Sequence, residues 1–212
     1  MNLTTLSLSV GTALWLLTGC PQAQQTPPAP TVRPDGANRN WTNIEEMIYT
    51  IGDTDDKIVV PKGFVTDFAS VPQPLWSLLS PHGQYSRAAV VHDYLYWTQG
   101  CTREQADRLL VIAMKESQVG AFDEVAVFGA VSAFGAAAWN QNRDEREQGI
   151  PRVIPDAYLR PKDPNMKWDE YRKYLVTQGV RDPEFERSPA YCRHGDSTQV
   201  PRKPANTASA PK

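Results

Sequence analysis

The chain carries three histidines, at positions 82, 92 and 194. Only His92 lies in a run that can bring it inside a fold. It follows Ala88-Ala-Val-Val91 and precedes Asp93-Tyr-Leu-Tyr96. A helix of that composition is largely buried, so an imidazole on it needs hydrogen-bond partners. If a carboxylate holds one ring nitrogen, the other can take a proton from water. Asp107 is the candidate for that carboxylate. It falls near the start of the next helix, after a connection of about four residues, and so short a connection sets the middle of one helix beside the start of the other. His92 and Asp107 are therefore the candidate catalytic pair. A core histidine satisfied by Asp107, with no catalysis, fits the same residues equally well.

Asp93 points roughly 100° away from His92 around the helix. It could ligate a hard cation, together with backbone carbonyls from the Gly83 loop or the Asp67 segment. A salt bridge to Arg87 or Arg108 is the plainer fate. Asp67 sits among Phe64, Val65, Phe68 and Val71, where a carboxylate is costly unless paired. It either caps a turn through the N–H groups of Ala69 and Ser70 or serves as a further site residue. Other chemistries lack their residues. Ser70 has no Gly-x-Ser-x-Gly around it, and there is no His-Glu-x-x-His or Walker loop. A His-Asp phosphohydrolase would need more histidines on neighbouring helices.

These groups must be held by a small sheet and a set of helices. The second half of Trp41 to Ile51 reads as a strand. Gly52-Asp-Thr-Asp-Asp56 reads as a turn and Ile58-Val-Val60 as a strand ended by Pro61, giving a β-hairpin. Phe64-Val-Thr66 is a further short strand. A short helix is expected over Leu75 to Leu79, and Ser80 to Tyr85 is a loop. Ser86 can cap the His92 helix and Gly100 can end it. Thr102 with Gln105 forms a capping box for the next helix, whose Ala106, Leu109, Leu110, Ala113 and Met114 share one face. A third helix runs from about Asp123 to Asn142. Its apolar core, Val125 to Trp139, is short for a membrane span, so a buried core helix is expected. Arg143 to Gln148 is expected to be solvated. Trp168, Tyr171 and Leu175 mark one more amphipathic helix.

The ends look different. Leu3 to Leu17 is mostly apolar and uncharged and runs into Leu17-Thr-Gly-Cys20. This resembles the lipobox of bacterial lipoproteins, which implies a signal peptide over residues 1–20, a lipidated Cys20 and a membrane anchor in the bacterial cell envelope. Met1 to Thr5 departs from the pattern in having no Lys or Arg. Residues 21–40 read as a flexible tether, 41–180 as the globular domain and 181–212 as a disordered tail. Cys101 and Cys192 either pair in an oxidising compartment or remain two thiols. The formal net charge of -2 gives no global basic footprint, so no nucleic-acid partner is expected.

Two further resemblances bear on function. Val60-Pro-x-Gly-Phe-Val-Thr-Asp-Phe-Ala-Ser-Val-Pro72, then Leu75-Trp76, Pro81-x-Gly83-x-Tyr85, Arg87-Ala-Ala-Val-x-His-Asp93 and Ala106-Asp107 together resemble the bacterial and phage family called domain of unknown function 1353. That resemblance implies no established activity. His92-Asp93-Tyr-Leu-Tyr96, followed by Ala106-Asp107, is similar to the active helices of phospholipase A2-like proteins. It implies that His92 activates water, Asp107 orients it and Asp93 binds calcium with a glycine-rich loop. Here that loop is reduced to Gly83, and the disulfide cysteines beside the histidine in secreted members are absent.

The expected fold is α+β, a small N-terminal β-hairpin or sheet packed on a bundle of about three α-helices. The expected function is an envelope-anchored lipoprotein, a hydrolase of lipid esters acting on phospholipid, with calcium as the candidate cofactor. The alternative is a non-enzymatic, phage-derived structural or interaction module whose buried polar network fixes the fold.

Overall fold

The computed structural model describes residues 28–35, 40–68, 85–161, 163 and 165–203. Among the described residues, five short strands precede four helices. The strands are β1 (Val32–Pro34), β2 (Trp41–Asn43), β3 (Met47–Thr50), β4 (Lys57–Val60) and β5 (Val65–Thr66). The helices are α1 (Ser86–Thr98), α2 (Arg103–Glu116), α3 (Ala121–Glu147) and α4 (Trp168–Thr177). Short 3-10 segments lie at Asp156–Tyr158 and Ala190–Asp196. The protein is α+β.

The hairpin forms where alternation demands it. Met47 pairs with Val60 and Tyr49 with Ile58, and all four face the core while Ile48 and Val59 face out. A second sheet has the order β1-β2-β5, all antiparallel. Its strand β1 falls inside the stretch expected to be a flexible tether. Val32–Pro34 is tied down instead by pairing with Trp41–Asn43. Gly63, at φ +85, lets the chain pass the backbone of Ile154, and the Ile154 N–H donates to the Gly63 carbonyl at 2.8 Å.

Helix α1 is the central element. Eleven of its thirteen residues are buried, because α2 and α3 pack on it and β4 and β5 touch it. A helix apolar all round has to be enclosed in this way. Its ends differ from expectation. Ser86 is the first helical residue, Tyr85 stands at the cap position, and no side chain caps the helix. The left-handed residue that ends it is Gln99, at φ 52, and Gly100 follows. Helix α2 starts as expected, with the Thr102–Gln105 capping box complete on both sides.

Two expectations are corrected. Helix α3 is longer than expected and is not a buried core helix. Only Val127, Val131 and Asn142 are buried along its 27 residues. The segment from Arg143 forms its last turns and is solvated as expected, with Arg143, Asp144, Glu147 and Gln148 exposed, while Arg146 donates to the carbonyls of Trp97 and Thr98. The tail from residue 181 is ordered through residue 203. A disulfide joins Cys101 to Cys192 across a sequence separation of 91, with their Cα atoms 5.3 Å apart. It pins the Ala190–Asp196 segment onto α2. Residues 1–27, the helix expected over 75–79, the Gly83 loop and residues 204–212 lie outside the described residues.

Candidate functional site

The site is assembled by α1 and α2. His92 and Tyr96 are one turn apart on α1 and share a face. Asp107, in the second turn of α2, meets both. The His92 Nε2 lies 2.9 Å from Asp107 Oδ1, and the Tyr96 hydroxyl donates to the same oxygen at 2.6 Å. Arg103, one turn earlier on α2, donates to Asp107 Oδ2 at 3.1 Å. The carboxylate is thus met on both oxygens while almost wholly buried, with His92 and Asp107 each 2% exposed. A carboxylate at that distance favours the tautomer with the proton on Nε2, leaving the lone pair on Nδ1. Burial, and then the bond to Asp107, push the Tyr96 phenol well above its ordinary value, so it stays a donor. The two rings lie 4.1 Å apart.

Asp93 is buried 100° further around α1, as its position requires. Its partner is neither Arg87 nor Arg108. Thr66 on β5 donates to Asp93 Oδ2, and the same Thr66 oxygen accepts from the Phe68 N–H. Phe68 takes a left-handed φ of 52, an uncommon conformation for a bulky residue. Just before it, Asp67 pairs with Arg152 at 3.5 Å. Ala69 and Ser70, the N–H groups expected to receive a cap from Asp67, lie outside the described residues.

Asp67, His92, Asp93 and Tyr96 come together on one cavity of about 300 Å³. Its far wall is α3, through Val131, Phe134 and Gly135. Gly135 is required there, since a Cβ on it would stand 2.3 Å from the Tyr96 hydroxyl oxygen. Arg152 and Arg172 close the remaining side. Arg152 is held by Val65 O at 2.8 Å and Asn142 Oδ1 at 3.2 Å, and its guanidinium lies over Trp97. The backbone beneath it is fixed by Asp182, which accepts from the Arg152 and Val153 N–H groups at 2.8 Å each and from the Trp97 indole. Burial raises the Asp182 carboxyl above its ordinary value, and those three donors offset only part of that rise.

Asp67 and Asp93 do not make a cation site among the described residues. One is turned to a guanidinium and the other to a hydroxyl, and no group of three or more His, Cys, Asp or Glu is placed to hold a metal there. The Gly83 loop, the expected source of carbonyl ligands, lies outside the described residues.

Several site residues had weak sequence signals. Arg103 is four residues before Asp107, the spacing of a helical ion pair, and could have been found that way. Thr66, Arg152 and Arg172 reach the site from β5, from the extended segment after α3 and from α4. No local pattern points to them.

Residues 41–131 match the family model described as Protein of unknown function (DUF1353). The DUF1353 match runs from β2 to the middle of α3 and so includes Asp67, His92, Asp93, Tyr96 and Asp107. Arg152 and Arg172 lie beyond it. A relative, "Uncharacterized protein y4jT" of Sinorhizobium fredii (strain NBRC 101917 / NGR234), is 33% identical over 78 residues. That stretch is 36% of this chain and 23% of the relative. No solved structure matches the chain.

Proposed function

We propose that the protein hydrolyses lipid esters at a bacterial cell envelope, where Cys20 serves as the lipidation site. The observation that carries this reading is the Asp107–His92 pair set on a cavity walled on one side by an apolar helix. The support is chemical. Asp107 holds Nε2, so Nδ1 is the nitrogen that accepts a proton. His92 takes that proton from a water molecule, and the hydroxide attacks the ester carbonyl carbon. The tetrahedral intermediate collapses with cleavage of the acyl C–O bond. His92 returns its proton to the leaving alkoxide, giving a fatty acid and an alcohol. Arg152 and Arg172 are the cations in the wall available to the oxyanion. Val131, Phe134 and Ala138 on α3 offer an acyl chain an apolar wall. Asp107 and Tyr96 are positioning residues for His92.

No step runs through calcium, because the Gly83 loop expected to supply its carbonyl ligands lies outside the described residues. The assay is fatty-acid release from phospholipid vesicles by the purified chain, with calcium and with a chelator. His92→Ala is expected to lower kcat by at least about a hundredfold while the far-ultraviolet spectrum stays native. Asp107→Asn is expected to lower kcat and move the pH profile. A folded native chain that releases no fatty acid, or a His92→Ala variant as fast as native, would overturn the reading and favour the non-enzymatic module.

A further inference from the structure

Helix α3 exposes what a helix in water should hide. Phe122 is 77% exposed, Val125 74% and Phe134 75%. From Val125 to Asn142 the helix carries no charged residue. An 18-residue window on it has mean hydropathy 1.4, with 11% of that window buried. By length and composition the helix could cross a membrane. Its other side, however, is committed. Val127 and Val131 are buried, Asn142 donates to the Tyr96 carbonyl, and the helix packs on α1 and α2. A span would strip those contacts and empty the cavity wall.

We propose that the face of α3 that no described residue covers lies on a lipid bilayer, parallel to its surface, with the mouth of the His92 cavity turned toward the acyl chains. Three features of the chain select a bilayer over a protein partner. The exposed polar side chains along the stripe are few, chiefly Ser132, Asn140 and Gln141, whereas a specific protein interface needs a rim of hydrogen-bonding groups as well as aromatic anchors. Hydrocarbon asks for no hydrogen bonds, and an apolar face with a charged margin is what an interfacial helix presents. Asp123 and Glu124 stand in the first turn of the helix and Arg143 and Asp144 toward its other end. Finally, Cys20 in the Leu17-Thr-Gly-Cys20 box is eight residues before Pro28, the first described residue. Eight residues reach at most about 29 Å, so a chain anchored at Cys20 keeps this domain beside its membrane. Phe134, about 180° around the helix from Val125, marks the cavity-side edge of the exposed arc and also lines the cavity, so the docked surface borders the cavity. The proposal stands on the exposure of α3 and does not require His92 to be a base.

The test uses the full chain carrying Cys20→Ser, which removes acylation and the stray thiol, and leaves Cys101–Cys192 closed. A fluorophore is attached at Ser132→Cys on α3 or, separately, at Asp55→Cys on the hairpin turn. The probe is a vesicle of phosphatidylethanolamine and phosphatidylglycerol with brominated acyl chains. The label at 132 is expected to be strongly quenched and the label at 55 hardly at all. Phe122→Asp, Val125→Asp and Phe134→Asp together are expected to reduce quenching at 132 at least about tenfold while the melting temperature holds. The proposal is overturned if the label at 132 is unquenched on a vesicle-bound chain, since the leader alone then binds. It is equally overturned if labels at 132 contact one another in a self-associated chain, or if quenching survives the three aspartates. Because the readout is quenching, its failure is separate from any failure of fatty-acid release.

Discussion

Helices α2 and α3 have similar apolar content but opposite relations to water. On α2, Leu109, Leu110, Ile112 and Met114 are buried, and its first turn is closed by a capping box. On α3, the large apolar residues Phe122, Val125 and Phe134 are turned outward. Composition fixes how much apolar area a helix has to hide, but the neighbours decide which part is hidden. Helix α1 is already enclosed by α2, the strands and one side of α3. The Ala190–Asp196 segment, pinned by the disulfide, covers α2 further. Among the described residues nothing comparable covers the far side of α3. The candidate site lies on the seam, with Asp107 supplied by the covered helix and Gly135 by the open one.

The covered side should be the more fragile. Asp107→Ala removes the carboxylate shared by His92, Tyr96 and Arg103 and leaves buried donors without an acceptor. The expected loss is about 4 kcal/mol, read from urea unfolding midpoints. A loss below about 1 kcal/mol would mean the cluster does not organise the α1–α2 pair. Next in size is the clasp. Cys192→Ser opens a loop of 91 residues, and the expected loss is about 3 kcal/mol, with faster proteolysis confined to the segment around Ala190. Equal loss of protection along α3 would erase the contrast between the two helices.

Local signals made much of the fold legible. Alternation in Met47–Thr50 and Lys57–Val60 located the hairpin, and Thr102 with Gln105 located the start of α2. His92, Tyr96 and Asp107 were readable because one helical turn and one short connection bring them together. Elsewhere the deciding information was long-range. Val32–Pro34 is a strand only because Trp41–Asn43 pairs with it. The segment beyond residue 181 is polar, which reads as disorder, yet one disulfide and a bond from Arg108 to the Gly195 carbonyl at 3.2 Å hold it. The fifteen-residue, mostly apolar stretch from Val125 to Trp139 predicted burial, since nothing in a sequence states whether a covering partner exists. Arg152 and Asp182 could not be found because their roles come from a backbone path that only the fold defines.

The two faces of α3 can be separated with one methyl group each. At Gly135 a Cβ would stand 2.3 Å from the Tyr96 hydroxyl oxygen, whereas at Gly129 it would meet nothing within 4 Å. Gly135→Ala must displace Tyr96 from Asp107 or push α3 away, at about 1–3 kcal/mol, reduced by the gain in helix propensity. Gly129→Ala has only that gain and is expected to stabilise by about 0.5–1 kcal/mol. Thermal unfolding of the two variants should therefore move in opposite directions. Parallel shifts would place Gly129 against a surface too.

A comparably small effect concerns how the end of α3 is held. Glu145 accepts from Arg172 on α4 at 2.6 Å and from Gln141 at 2.8 Å. Burial works to raise its carboxyl, but those hydrogen bonds and the charges of Arg172 and Arg152 outweigh it and hold the group below the usual range. A carboxyl lowered by folding contributes stability above its unfolded pKa, about 4.3 for glutamate, and loses it as pH falls through the lower folded value. At pH 7, Glu145→Gln is expected to cost about 1 kcal/mol. As pH drops below the ordinary glutamate range, the gap between native and variant should close, because the native chain gives up the same contribution by protonation. Urea midpoints measured from pH 7 downward would show the two curves converging. A gap that stays constant would mean the α3–α4 contact is made by shape and not by charge, and the closed end of α3 would then differ from its open face only in packing.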